Sequence, residues 1–278
     1  MNHIKTGLVI AAMTALFLAV GRLLGGQQGM VFGFVAALVM NAGAYWFSDR
    51  IVLSMYRAQP ITPADAPQFY QMVDRLCRRA NLPVPALYVI PDPTPNAFAT
   101  GRDPQHAAVA VHQGLLNLLS ADEVEGVVAH ELAHIKNRDT LISTITATLA
   151  GAITMIVQMA QFAALFGGLN RDDEEGGSPI ATLALLIVSP LLATLLQLMV
   201  SRSREYLADA TGAQICGKPL ALADALRRLE SGAAHMPAHG DPATAHMFII
   251  KPFSLGGMLS LFSTHPPTEQ RIQALLQQ

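Results

Sequence analysis

Four long stretches with no interior charge constrain this chain more than any other feature. Residues 6–24 are apolar except for Arg22 near one end, and residues 29–47, 140–170 and 176–201 carry no Asp, Glu, Lys or Arg. A helix that crosses a bilayer needs about 20 predominantly apolar residues, within a range of about 17–25, and each stretch meets that length. Arg22 can extend its charge into the headgroups. Tyr45 and Trp46 stand where an interfacial aromatic anchor belongs, and Pro190 predicts a kink in the fourth stretch. Burial of all four inside a soluble core is the competing reading. It fits a 278-residue chain poorly, and less poorly for the second pair, where Ser, Thr and Gln are frequent. Composition agrees with membrane burial: 51% of residues are hydrophobic and 14% charged, against about a quarter charged in an average soluble chain.

A cleaved leader would explain the first stretch alone. Lys5 supplies a basic start, but no clear small-x-small site precedes the second stretch, so an uncleaved anchor is the better reading. Basic residues flank the outer ends of both apolar pairs: Lys5, Arg50 and Arg57 around the first, Arg202 and Arg204 after the last. The connection at residues 171–175 is mostly acidic. The positive-inside rule then places both termini and the central region in the cytoplasm. The expected organisation is a transmembrane hairpin at 6–47 with a tight connection at Gln27-Gln28, an aqueous domain split into 49–139 and 201–278, and a second hydrophobic hairpin at 140–200. The net charge of −2 offers no basis for a nucleic-acid partner. Cys77 and Cys216 form no CxxC pair or disulfide framework and are expected to be reduced, inert thiols.

The aqueous part is predicted to be α+β and mainly helical, with a small sheet. A helix is expected from Pro60 to Ala80, entered through Thr62-Pro63. Residues 86–90 are strand formers bounded by prolines, and 96–100 and 107–111 can complete the sheet. Ser120 followed by Glu123 is a capping-box signature, so a helix should start at Ala121. Further helices are expected at 220–230 and 268–278.

The helix starting at Ala121 carries His130-Glu131-Leu132-Ala133-His134. Residues four apart share a helix face, so His130 and His134 can both present a ring nitrogen to one zinc ion at about 2.0–2.1 Å. Glu131 is displaced by about 100°, which suits a base acting on the metal's water better than a ligand. A helix that merely happens to hold two histidines is the alternative, but the capped helix with apolar neighbours meets the motif's own structural requirement. Catalytic zinc needs a third protein ligand and an open position. Glu205 and Asp209 follow the fourth stretch four residues apart. Glu205 can bind the ion, and Asp209 can accept a hydrogen bond from a ligating imidazole; on its own, this pair would read as solvated acids. The scattered His235, His239 and His246, like His106 and His112, read as ordinary loop residues rather than ligands.

His130-Glu-Leu-Ala-His-Ile-Lys-Asn-Arg-Asp139, Ser203-Arg-Glu-Tyr-Leu-Ala-Asp209, Phe262-Ser-Thr-His-Pro-Pro267 and Asn96-Ala-Phe-Ala-Thr-Gly101 closely resemble the HtpX-type bacterial membrane metalloproteases, which are related to the CAAX prenyl proteases. Those prenyl proteases carry more membrane helices around a chamber, and this chain has room for four at most. The resemblance implies a zincin-like domain with one Zn2+ per chain on His130, His134 and Glu205, and Glu131 as catalytic base. It also implies cytoplasmic-side proteolysis of misfolded or damaged inner-membrane proteins, with the bilayer and unfolded chains as partners. His265 and Arg271 match a family histidine and arginine near the active site. Either can stabilise the oxyanion or gate the cleft; helix capping and surface charge explain them equally well. Asn96–Gly101 can receive substrate by strand addition or simply complete the sheet. Residues 232–260 read as an insertion over the cleft or against the membrane. Gly21 and Gly25 are a hint of close helix packing and of a homo-oligomer. The rival to a protease is a non-catalytic membrane chaperone or scaffold that keeps zinc for structure.

Overall fold

The computed structural model describes residues 2–149, 202–233, 247–249 and 266–277. Its first element, α1 (Asn2–Met55), is two helices joined across non-helical Gly25 and Gly26. Gly26 has φ +58, a left-handed conformation that glycine adopts without steric cost. The chain therefore reverses at Gly25-Gly26, and Gln27 and Gln28 are already helical. The two arms lie against each other: Asn41 Nδ2 donates to Thr14 Oγ1 at 3.1 Å across 27 residues. A Cβ on Gly33 would strike the backbone carbonyl of Phe17, and one on Gly21 that of Gly29. Gly21 is thus occupied inside the hairpin, where small residues let two backbones approach.

The arm Gly25–Met55 is long and apolar enough to cross a membrane, with a mean hydropathy of 1.6 and only 17% of its most apolar window buried. Phe32, Val39 and Trp46 project outward with more than half of their surface uncovered. A core helix of a water-soluble protein would hide such residues; a contiguous apolar surface of this kind marks contact with an apolar partner. Of the second predicted hairpin, only α5 (Thr140–Leu149) lies within the described residues. Its Ile145 and Leu149 pack on Val9, Met13 and Ala44 of the α1 hairpin.

The aqueous part opens with β1 (Gln59–Pro60) and α2 (Pro67–Ala80). That helix starts at Pro67, not at Pro60 as predicted, and Pro60 belongs to β1. Thr62 donates through both N and Oγ1 to Asp65 Oδ2, which closes a local turn, and Pro67 takes the first helical position. Strands β2 (Ala86–Ile90), β3 (Ala97–Gly101) and β4 (Ala107–His112) follow. The sheet order is β1-β2-β4-β3, with β2 parallel to β4 and β3 antiparallel to it, so β3 is an edge. Alternation assigns the faces: Val109 and Val111 join the main core, whereas Ala108 and Ala110 join a second cluster with Phe98, Val52, Ala147 and Met247. His112 is the buried last residue of β4 rather than a loop residue.

Beyond the sheet come α3 (Gln113–Leu118), α4 (Ala121–Lys136), α6 (Arg202–Cys216), α7 (Pro219–Ala233) and α8 (Thr268–Leu276). Helix α4 begins with the predicted capping box: Ser120 N donates to Glu123 Oε2 at 2.7 Å, and Glu123 N donates to Ser120 Oγ at 3.4 Å. This helix is the centre of the domain. Its Val127, Val128, Leu132 and Ala133 are fully buried, with Ala208, Leu222 and Leu226 from α6 and α7 in the same core. Cys77 and Cys216 are free and buried in that core. Burial pushes the Cys77 thiol up to about 11, Asp74 adding to it.

Candidate active site

The spacing of α4 places His130 and His134 one turn apart, with Nε2 atoms 3.2 Å apart and ring planes nearly perpendicular. Helix α6 crosses α4 here at close range. A Cβ on Gly212 would come within 2.9 Å of the backbone N and Cα of His130, so glycine at that position permits the approach. The crossing brings Glu205 to the imidazoles: its oxygens lie 3.8 Å from His130 Nε2 and 3.7 Å from His134 Nε2. Donor atoms of the three residues all fall within 4.8 Å of one another. A tetrahedron with zinc–ligand arms of about 2.0–2.1 Å has edges of about 3.3 Å, close to the observed separations.

Both imidazoles are held from behind. Asp209 Oδ1 is 3.0 Å from His130 Nδ1, and Asp139 Oδ2 is 3.3 Å from His134 Nδ1. Carboxylates at the Nδ1 sides leave the Nε2 lone pairs for a metal. Asp139 reaches its place because Arg138 adopts φ +57 and the Asp139 N–H donates to His134 O at 2.9 Å, folding the chain back over the end of α4.

Charge also fits a divalent ion. Four buried carboxylates (Glu131, Asp139, Glu205, Asp209) face two buried guanidiniums (Arg204, Arg271). With all of them ionised, two negative charges remain, and an uncompensated buried charge is costly. The field at His134 shows the same bias. Burial works to lower its pKa, yet the Asp139 hydrogen bond and the charges of Glu205 and Glu131 outweigh burial and push it up to about 9. The position favours a cation. Two imidazoles and a carboxylate are a donor set of catalytic zinc, and the described residues add no fourth ligand to this cluster.

Glu131 stands beside the ligands as part of the wall of a cavity of about 40 Å3. Its Oε2 accepts from the Ala99 N–H of edge strand β3 at 2.8 Å. Burial raises its pKa against the opposing pull of His130 and His134. Arg204, Phe98 and Met247–Ile249 complete much of the cavity wall. From sequence, Arg204 reads as a charge flanking the membrane within the Ser203–Asp209 run, and Arg204, Asp139 and Phe248 carry no site role. Their positions depend on chain reversals and crossings that no local periodicity encodes. Asp139 and Arg204 each lie inside a run shared with the HtpX-type proteases and so carry a sequence signal; Phe248 does not.

Arg271 is buried behind the ligands and is absent from the cavity wall. Its Nε and Nη2 donate to the two oxygens of Asp209 at 2.8 and 2.7 Å. His265 lies outside the described residues, as do His235, His239 and His246. Of the 232–260 insertion beyond α7, the described residues are 247–249, which border the cavity.

Comparison with known proteins agrees along the whole chain. The profile of peptidase family M48 matches residues 63–278. A protein named Protease HtpX homolog from Desulforapulum autotrophicum is 54% identical over 275 residues, covering 99% of this chain and 89% of its own length. Namesakes from Pyrococcus furiosus and Aquifex aeolicus are each 52% identical, covering 98% and 95% of this chain and 94% and 89% of their own. The crystal structure of S. mikatae Ste24p superposes with a TM-score of 0.52 at 20% identity, over 99% of this chain and 65% of that one, and shares its fold. The chain thus belongs to peptidase family M48 as an HtpX homologue, a zinc metallopeptidase held in a membrane by at least one helix near its N terminus.

Proposed function

We propose that this protein is an endopeptidase that cleaves unfolded or damaged membrane polypeptides at the cytoplasmic face of a cell membrane, with Glu131 as its general base. The observation that carries this reading is the meeting of His130, His134 and Glu205 beside a Glu131 that lines the same cavity. When bound there, zinc polarises a carbonyl and acidifies water at its open position. Glu131 then takes the proton of the attacking water and passes it to the leaving amine as the C–N bond breaks. The Ala99 N–H fixes the orientation of that carboxylate. The edge of β3, whose Ala99 and Gly101 N–H groups already serve Glu131 and Thr144, borders the cavity and can align an extended chain through its remaining backbone groups by strand addition. An unfolded segment presents such a chain, whereas a folded domain does not.

The flanking basic residues Lys5, Arg50, Arg57 and Arg202 support a topology with a hairpin at 6–47, a second one at 140–200 and the protease domain, 49–139 with 201–278, on the cytoplasmic side. Helix α5 supports a site close to the bilayer. Thr144 Oγ1 lies 3.0 Å from Thr100 Oγ1 of β3, while Ile145 and Leu149 rest on the hairpin. A structural zinc in a non-catalytic scaffold calls for four protein ligands; the described cluster has three.

The test compares Glu131→Gln with the parent on an unfolded membrane protein. Zinc content should be equal, and the cleavage rate should fall by about 10²–10⁴-fold, the usual contribution of a positioned base. Equal zinc-dependent cleavage by both would remove Glu131 from the mechanism.

A further inference from the structure

The C-terminal helix contributes one fully buried cation, Arg271, whose three nitrogens are divided between two partners. Arg271 Nε and Nη2 grip both oxygens of Asp209, the carboxylate behind His130. Its Nη1 lies 3.6 Å from Glu205 Oε2 and donates at 2.7 Å to the backbone carbonyl of Ile249. Ile249 N in turn donates to Asn96 Oδ1 at 3.1 Å, just before β3. Met247, Phe248 and Ile249 are all buried and form a wall of the cavity.

We infer that Arg271 is a positioning residue that sets the zinc ligands and the 247–249 wall together. A planar guanidinium with both edges engaged cannot release one partner without disturbing the other. Through Asp209 it fixes the ring of His130; through Ile249 it fixes the segment that carries Phe248. Stabilising an oxyanion would require the guanidinium to line the cavity, whereas its Nε, Nη1 and Nη2 are taken by Asp209 and Ile249 and it forms no part of the wall. Residues 247–249 border the cavity that receives the substrate. The link to Arg271 therefore makes substrate admission and ligand geometry interdependent. This inference rests on the zinc peptidase reading.

The test uses the full chain in detergent, as parent, Arg271→Lys and Arg271→Ala. Zinc affinity is measured by competition with a chelator, amide exchange is followed over residues 247–249, and thermal stability is recorded for each zinc-loaded protein. Loss of the partner behind a metal-bound histidine weakens zinc by about 10–100-fold. Arg271→Ala, which leaves Asp209 present but no longer held, should show a loss of up to that size together with faster exchange at 247–249. Arg271→Lys, which keeps the charge but not the fork, should fall between Arg271→Ala and the parent on both measures while remaining folded. Unchanged zinc affinity in a folded Arg271→Ala would overturn the inference, as would unchanged exchange at 247–249. A parent that binds no zinc would instead defeat the peptidase reading itself.

Discussion

The α1 hairpin and the α4–α6 crossing use the same device, a glycine where two helices touch, and place opposite chemistry around it. In the hairpin, Gly21 and Gly33 bring two apolar arms together and the large side chains point outward, with Phe32 77% exposed. In the crossing, Gly212 brings α6 onto His130, and the charges point inward: Glu131, Glu205, Asp209 and Arg271 are each at most 4% exposed. One region is apolar outside and the other is charged inside. Lipid makes the first stable, because outward apolar groups lose nothing there. A metal with paired side chains makes the second stable, because buried charges persist only when compensated.

The sharpest way to break that contrast is to place the same charge on both outer surfaces. Phe32→Arg puts a cation on the face read as lipid-exposed and should weaken membrane insertion by up to about 2.5–3.5 kcal/mol, the cost of Arg at a helix centre. Leu276→Arg, at a site 49% exposed on α8, should change stability by no more than about 0.5 kcal/mol. Membrane flotation and thermal melts of the two variants separate the outcomes; equal, small effects would mean that Phe32 faces water.

The second comparison swaps the glycines. Gly212→Ala pushes α6 off the backbone of His130 and shifts Glu205 relative to both imidazoles. Misplacement of catalytic groups by about 1 Å can cost about 10²-fold in rate, and kcat/KM should fall by that order. Gly33→Val forces the hairpin arms apart against the Phe17 carbonyl, for about 1–3 kcal/mol. It should leave the cleavage of a short soluble peptide per bound zinc unchanged. If Gly33→Val abolished peptide cleavage as well, the hairpin and the site would be a single unit.

The last comparison concerns pH. In metal-free protein the pKa of His134 is raised from its ordinary value of about 6.5 to about 9. A group raised on folding contributes its stability fully below the unfolded pKa and loses it as pH climbs through the folded one. Melting temperature of the metal-free protein should therefore drop between about pH 6.5 and 9, and zinc affinity should rise over the same window as protons stop competing. The zinc-loaded protein should lack this drop. A flat metal-free profile would show that Asp139 and Glu205 do not act on His134 as the geometry implies.

Features legible from sequence were those set by neighbours a few residues apart. The capping box at Ser120 and Glu123, the one-turn spacing of His130 and His134, the strands at 86–90 and 107–111 and the apolar run in α1 all follow from helix or strand periods. Errors arose where local chemistry offered two solutions: Thr62 closes a turn with Asp65 rather than starting α2, and the hairpin reverses at Gly25-Gly26 rather than at the glutamines.

Which residues could serve a metal and which stretch could lie in lipid was readable from the chain alone, because both depend on residue type and on short repeats. Folding in three dimensions is what sets Asp139 behind His134, makes Ala99 hold Glu131 from 32 residues away, and lets Arg271 grip Asp209 across 62. Those pairings depend on how closely α4, α6, α8 and β3 approach one another. That approach is set by the packing of the whole core, and no single segment of the chain carries the information.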